Sequence, residues 1–487
     1  VPRRACGIAT SLATGDRRRV TSPASFSNAR ALPSVPPSAL PAPPHERGGG
    51  DALNWLTAAI FLLIPAVAWV ARRSGGSWYA PAAFFALFWC FFGGLPLVAS
   101  PVSIAPVGML FVAAACGSVL LGGWMARRWS PSTPTSSATS VEPPLLGWAI
   151  AACTVLGLVV VAIILYSVES SSSAARLLSF DAIVQTIHKL AVARNGGTWE
   201  EPAPARVLTT AMYLGPMLSG LMIGLRKTGS SHWLSLVVLL PSVLITAILT
   251  TKSSLLLPLA LGASAYIATS IAAGNPPALT WRRAAWLAGL VVVVAGGFVL
   301  VQMARYAGWT SGRPAAVVQS LWLSVFPYLG VFSAWLQANG VSASFHPTLG
   351  QYTFAGVFDL LHIHTRVAGL YTEQFVIDGT QYNIYTAFRG VVQDFTIPGA
   401  LVFLGLVGFG AEVAYRRAGS GRLLYVGILA AFYAATLWSF VVDVFIYNTI
   451  VLAFAILIGY LAIVARYSRR NVAAALPERP RSVPRAV

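Results

Sequence analysis

The sequence predicts an all-α fold, a polytopic integral membrane bundle of about eleven transmembrane helices with a large extracytoplasmic loop that carries short helices. Three observations predict it. Of 487 residues, 56% are hydrophobic and only 10% are charged, whereas a soluble domain carries about 25% charge. Apolar runs long enough to cross hydrocarbon, about 20 residues each, recur from residue 54 to residue 466. Most Lys and Arg stand as doublets at the ends of those runs, as in integral membrane proteins. That placement accounts for the net charge of +18 without nucleic acid as a partner; the partner it implies is the lipid bilayer.

In chain order, residues 1–50 form an Arg-rich and then Pro-rich tail ("LPSVPPSALPAPP") expected to be disordered. The first apolar run follows residue 51, too late for a secretory signal peptide. Spans are expected at 54–71, 78–98, 105–126, 145–167, 207–225, 233–251, 254–272, 284–304, 397–415, 423–440 and 446–466, within a transmembrane domain 51–466. If they alternate, six basic clusters fall on one face: Arg72/Arg73, Arg127/Arg128, Arg226/Lys227, Arg282/Arg283, Arg416/Arg417/Arg422 and Arg466/Arg469/Arg470. The positive-inside rule makes that face cytoplasmic, with 467–487 as a cytoplasmic tail and the N-terminus outside. The Arg-rich tail runs against an outer N-terminus, and the six internal clusters outweigh it. Residues 129–144 read as an unstructured Ser/Thr/Pro-rich cytoplasmic linker. The outer face receives two long loops, 168–206 and 305–396. In the second, the apolar stretch 315–337 is read as a helix in the membrane interface or re-entrant, because a full span would invert the charge pattern downstream. A short amphipathic helix is expected over 353–371.

Few charges lie at membrane depth. Glu412 is near a cytoplasmic helix end and Lys252 lies at an outer boundary. That scarcity, with no visible internal repeat, counts against ion-coupled transport. The outer face carries Arg176, Lys189, Arg194, Arg206, Lys252, Arg305, Arg313, Arg366 and Arg389, positions the charge rule disfavours. Arg305, Arg313, Arg389 and Lys252 stand at headgroup height, where a lipid-linked phosphate or pyrophosphate would sit. The alternative is that they snorkel to lipid headgroups or pair with Asp394, Asp378 and Glu373. His188, His346, His362 and His364 lack ligand spacing, so no metal and no cofactor are expected. Cys90, Cys116 and Cys153 read as small apolar residues within spans, and Cys6 is in the tail. No nucleotide-binding or nucleophile motif occurs, so an enzyme here needs a substrate activated beforehand and presented outside.

The stretch "NIYTAFRGVVQDFTIPGALVFLGLVGF", beginning at Asn383, resembles the Asn-x-Tyr-Thr … Asp-Phe-Gly-x-x-Gly signature of bacterial oligosaccharide repeat-unit polymerases, the Wzy-like O-antigen polymerases. "LGVFSAWLQ" followed by "LGQYTFAGVFDLL" and "ILTTKSSLLLPLAL" are similar to further segments of that family. The resemblance covers roughly residues 200–460, and the N-terminal half by topology alone. Two positions depart from it: Thr396 stands where Gly is expected, and Lys252 where Arg is expected.

The resemblance implies a metal-independent, inverting, GT-C-like membrane glycosyltransferase in a bacterial plasma membrane, active on its periplasmic face. It would transfer a growing glycan from undecaprenyl pyrophosphate to a new lipid-linked repeat unit, aided by a separate chain-length regulator. Arg389, Arg305 and Arg313 would hold the donor pyrophosphate, with Lys252 and Arg194 as further substrate contacts. Asp394 would orient Arg389 or accept a proton from the acceptor hydroxyl. Asn383, Tyr385 and Thr386 would position sugar hydroxyls or, equally, cap the segment. An O-antigen ligase of similar topology, or a flippase for the same lipid-linked oligosaccharide, is the competing expectation.

Overall fold

The computed structural model describes residues 55–129, 145–168, 199–225, 233–278, 325–339, 347–363, 375–377 and 379–475, together with isolated positions within 185–193, 280–299 and 322–323. They form an all-α polytopic membrane protein. Eight helices among the described residues are long and apolar enough to cross a membrane, and two shorter apolar helices accompany them, Ser235–Leu249 and Leu423–Trp438. The eight fall on eight of the eleven expected spans, and the two shorter helices lie within the expected spans 233–251 and 423–440; 284–304 lies largely outside the described residues, as do the tail 1–50 and the linker 130–144.

The helices are α1 (Trp55–Phe61), α2 (Leu63–Gly75), α3 (Pro81–Ala99), α4 (Pro106–Trp129), α5 (Leu146–Val168), α6 (Ala203–Leu225), α7 (Trp233–Val237), α8 (Leu240–Leu249), α9 (Ser253–Ala272), α10 (Tyr328–Asn339), α11 (Ala355–Leu360), α12 (Ala387–Gly419), α13 (Leu423–Trp438) and α14 (Asn448–Ala475). α1 and α2 make one span, Trp55–Gly75. Gly76 ends it in the left-handed conformation (φ 73°), its N–H reaching the Arg72 carbonyl at 2.8 Å. Pro81 then opens α3, where its missing N–H costs nothing.

Helices in lipid gain little from hiding apolar surface from one another, so they associate through close backbone approach at small residues. The α4–α12 pair does this: a Cβ on Gly122 would lie 1.8 Å from the Gly405 carbonyl oxygen. The α6–α9 pair repeats the device, with Gly220 2.1 Å from the Gly262 carbonyl by the same measure.

At the opposite end from Arg72, Arg127 and Arg416, short elements fill the bundle mouth. Of the segment expected to be interfacial or re-entrant, helix α10 is buried: Leu329, Val331, Phe332 and Ser333 are fully buried. Ser333 Oγ accepts from Ala105 N at 2.9 Å, tying α10 to the approach to α4. Residues 315–321 of the expected interfacial helix lie outside the described residues. Of the helix expected over 353–371, only Ala355–Leu360 is helical among the described residues, and it packs on a 3-10 turn, Val444–Ile446. A small antiparallel hairpin, β1 (Phe375–Ile377) and β2 (Thr380–Tyr382), was not expected; Gly379 (φ 74°) permits its turn. α14 continues as helix to Ala475, into the segment read as a tail.

Candidate functional site

The site begins with a break in a helix. The sequence places a span at 397–415, but α12 starts ten residues earlier, at Ala387. It is interrupted at Thr396, whose φ of 63° and ψ of 174° lie outside the helical region. The break leaves a half-helix, 387–395, buried along Ala387–Val392 and at Asp394. Aromatic packing holds it: the Phe388 ring centroid is 4.8 Å from Trp89, 5.4 Å from Phe111 and 6.0 Å from Phe332. Its first N–H, on Ala387, donates to the Ser439 carbonyl at 2.7 Å, so the turn after α13 satisfies a group that the helix cannot.

Arg389 projects from this half-helix and is 1% exposed. Its guanidinium carbon lies 4.0 Å from the Tyr385 ring centroid and 5.2 Å from that of Trp335 on α10. Two π faces attract a cation that has lost most of its water, by about 2 kcal/mol or more in a desolvated site. Thr386 occupies the N-cap position, yet its side chain makes no capping hydrogen bond, and its buried Oγ1 has no hydrogen-bond partner among the described residues. Thr353 Oγ1 and Gln393 Oε1 are buried in the same condition. Such groups are expensive unless something bonds them.

Asp394 lies on another side of the half-helix. Five residues from Arg389, it is turned about 140° around the axis. Its carboxylate accepts from Thr348 Oγ1 at 2.5 Å, Tyr352 N at 3.0 Å and Thr353 N at 2.6 Å. Leu349 N also donates to the Asp394 carbonyl at 3.1 Å. Asp394 therefore fastens the 348–353 turn to the half-helix, and the bend comes after it, at Thr396. The described contacts of Asp394 go to this turn.

A second carboxylate, Asp443, follows α13. Oδ1 accepts from Phe445 N at 3.0 Å and caps the 3-10 turn. Burial pushes its carboxyl up to about 7; the Phe445 N–H pulls it down and the charge of Asp394 pushes it up. Next to it, Asn448 Nδ2 donates to Asp359 Oδ2 at 2.6 Å, joining α11 to the start of α14.

Of the residues singled out in the sequence, Tyr385, Thr386, Arg389 and Asp394 come together on or beside the half-helix. Asn383 is exposed, just past the hairpin. Lys252 is half-buried at the N-cap of α9, between residues that line a separate cavity. Arg194, Arg305 and Arg313 lie outside the described residues. Sequence reading missed Trp335 and Asp443. A lone carboxylate between two apolar runs ("WSFVVDVFIYN") is a signal that could have found Asp443. Among the described residues no group of His, Cys, Asp and Glu is placed to hold a metal ion. The far end of α12 has a structural ion pair instead, Arg127 Nε to Glu412 Oε1 at 3.8 Å.

A scan against protein-family models, a search of curated proteins and a search of solved structures each returned no match for this chain.

Proposed function

We propose that this chain is an oligosaccharide repeat-unit polymerase, a metal-independent membrane glycosyltransferase acting on undecaprenyl-pyrophosphate-linked repeat units at the outer face of a bacterial plasma membrane. One observation carries the reading. The stretch whose sequence resembles that family forms a buried half-helix holding a desolvated arginine between two aromatic rings, at the bundle end opposite the basic clusters.

In the proposed reaction an acceptor hydroxyl of one repeat unit attacks the anomeric carbon of the growing glycan. The new C–O bond forms as the bond to pyrophosphate breaks, and the electron pair leaves with the lipid pyrophosphate. Arg389 stabilises that charge as it develops, where low dielectric makes it most effective. Tyr385 and Trp335 fix the guanidinium. The hydroxyl proton goes to a carboxylate at this end of the bundle: the resemblance implies Asp394, and Asp443, buried and within electrostatic reach of it, is the second candidate. Asp394 also sets the 348–353 turn. Arg194, Arg305 and Arg313 supply further phosphate contacts, and a chain-length regulator is the expected protein partner.

The test is the surface polysaccharide of a deletion strain complemented with wild type, Arg389→Ala or Arg389→Lys at matched protein levels. Loss of a preorganised charge contact costs about 10²–10³ in rate, so Arg389→Ala leaves single repeat units. Lysine restores charge without the planar fork and gives a short ladder. A full ladder with Arg389→Ala overturns the assignment of Arg389. Absence of any capped acceptor in the deletion strain points to a ligase, and repeat units held on the inner leaflet point to a flippase.

A further inference from the structure

A cavity of about 190 Å³ lies among α5, α6, α8 and the first turn of α9. None of its lining residues belongs to the half-helix, to α10 or to the 3-10 turn, so it is separate from the Arg389 site. It exceeds the roughly 150 Å³ of an apolar cavity that accepts benzene, so the atoms of one six-membered ring fit, with its substituents reaching the open side.

Its walls have two characters. Val160 and Ile164 of α5, Met212 of α6 and Ile245 of α8 form an apolar wall, all four buried. The rest of the lining is polar or aromatic: Trp199 and Glu201 ahead of α6, Thr209 and Tyr213 beside Met212 on α6, and Ser253 and Ser254 at the start of α9. The polar groups are held in place before any ligand arrives. Trp199 Nε1 donates to Ser167 Oγ at 3.4 Å, Thr209 Oγ1 lies 2.8 Å from the Ala205 carbonyl and 3.2 Å from Glu201 Oε1 with one proton to give between them, and the Thr251 and Ser254 hydroxyls are 2.5 Å apart. Ser253 is exposed, and Trp199 and Glu201 are half-buried, so the polar side is the side open to solvent.

The ligand must satisfy both walls. A lipid chain would match the apolar part of the lining but would take the Glu201 carboxylate out of water without bonding it, at about 1–3 kcal/mol or more. A phosphate would meet Glu201, the one charged side chain among the described lining residues, and be repelled. A neutral ring with apolar C–H faces and equatorial hydroxyls meets both requirements, with an indole beside it to stack on. We propose that this cavity binds a pyranose ring, with Glu201 and the flanking hydroxyls bonding its hydroxyl groups. The sugar class follows from the cavity itself. That the ring belongs to a repeat unit, away from the bond being made, rests on the polymerase reading.

The test uses the full chain in nanodiscs and saturation-transfer NMR with the methyl glycosides of glucose, galactose, mannose and N-acetylglucosamine. At least one should receive saturation from the protein. That signal should fall about tenfold, the loss of about 1.4 kcal/mol of binding, in Trp199→Ala and in Ser253→Trp. The second variant plugs the mouth from an exposed position and leaves the core untouched. No transfer to any of the four glycosides overturns the proposal, and so does equal transfer in wild type and both variants. The readout needs no turnover. Glycoside binding with an intact polysaccharide ladder in the deletion strain removes the polymerase reading alone, and a collapsed ladder without binding removes this proposal alone.

Discussion

Thr396 sits with φ 63° and ψ 174°, a region that only glycine enters without strain. The strain is about 1–3 kcal/mol, against about 0.5–1 kcal/mol of extra unfolded-state freedom for glycine. Thr396→Gly is therefore expected to raise stability by about 1 kcal/mol, read as a higher melting temperature of the detergent-solubilised protein. An unchanged or lower melting temperature would show that the surroundings hold Thr396 without strain.

Asp443 makes a second prediction at this scale. Its carboxyl moves from 3.8 to about 7 on folding. Between those values the folded chain keeps a proton that the unfolded chain has released, so stability falls as pH rises through that window and levels off above it. Asp443→Asn should flatten that fall when thermal midpoints are compared at pH ~5 and ~8. An identical fall in the variant would assign the dependence to another group.

At the scale of elements, the spans were readable because length and apolarity alone set them, but their ends and breaks were not. Helix α12 begins ten residues before the expected 397, since the polar stretch that looks like a loop gains buried aromatic packing around Phe388. The charge rule excludes a full span over 315–337 but leaves an interfacial and a re-entrant helix equally open; contact with α4 buries α10, the described part of it. Close helix crossing supplies the test here. Gly122→Ala puts a methyl group against the Gly405 carbonyl and forces α4 and α12 apart, at about 1–3 kcal/mol or more. Gly117→Ala, on the same helix, meets nothing within 4 Å and should be neutral or stabilising, by up to about 1 kcal/mol. Folded yield and melting temperature of the two variants compare them directly; equal behaviour would mean that the crossing is not close.

For the whole molecule, the sequence by itself determined the class. Apolar length and paired arginines at run ends specify a multi-pass bundle, because the cost of burying charge and unpaired backbone in hydrocarbon leaves few alternatives. It also determined that Tyr385, Thr386, Arg389 and Asp394 would be near one another, since they lie within ten residues. Only the tertiary structure decided what each of them does. The helical turn sends Arg389 and Asp394 in different directions, to Trp335 and to the 348–353 turn, partners some fifty and forty residues away in the chain. It likewise brought Asp443 into electrostatic reach of Asp394, and Trp199 and Glu201 to a cavity shared with residues of α5, α8 and α9. The physical reason is range. Hydrophobicity and charge act residue by residue and are read along the chain, whereas cages, carboxylate clusters and cavities are made by residues far apart in sequence, once helices have packed at distances set by glycine.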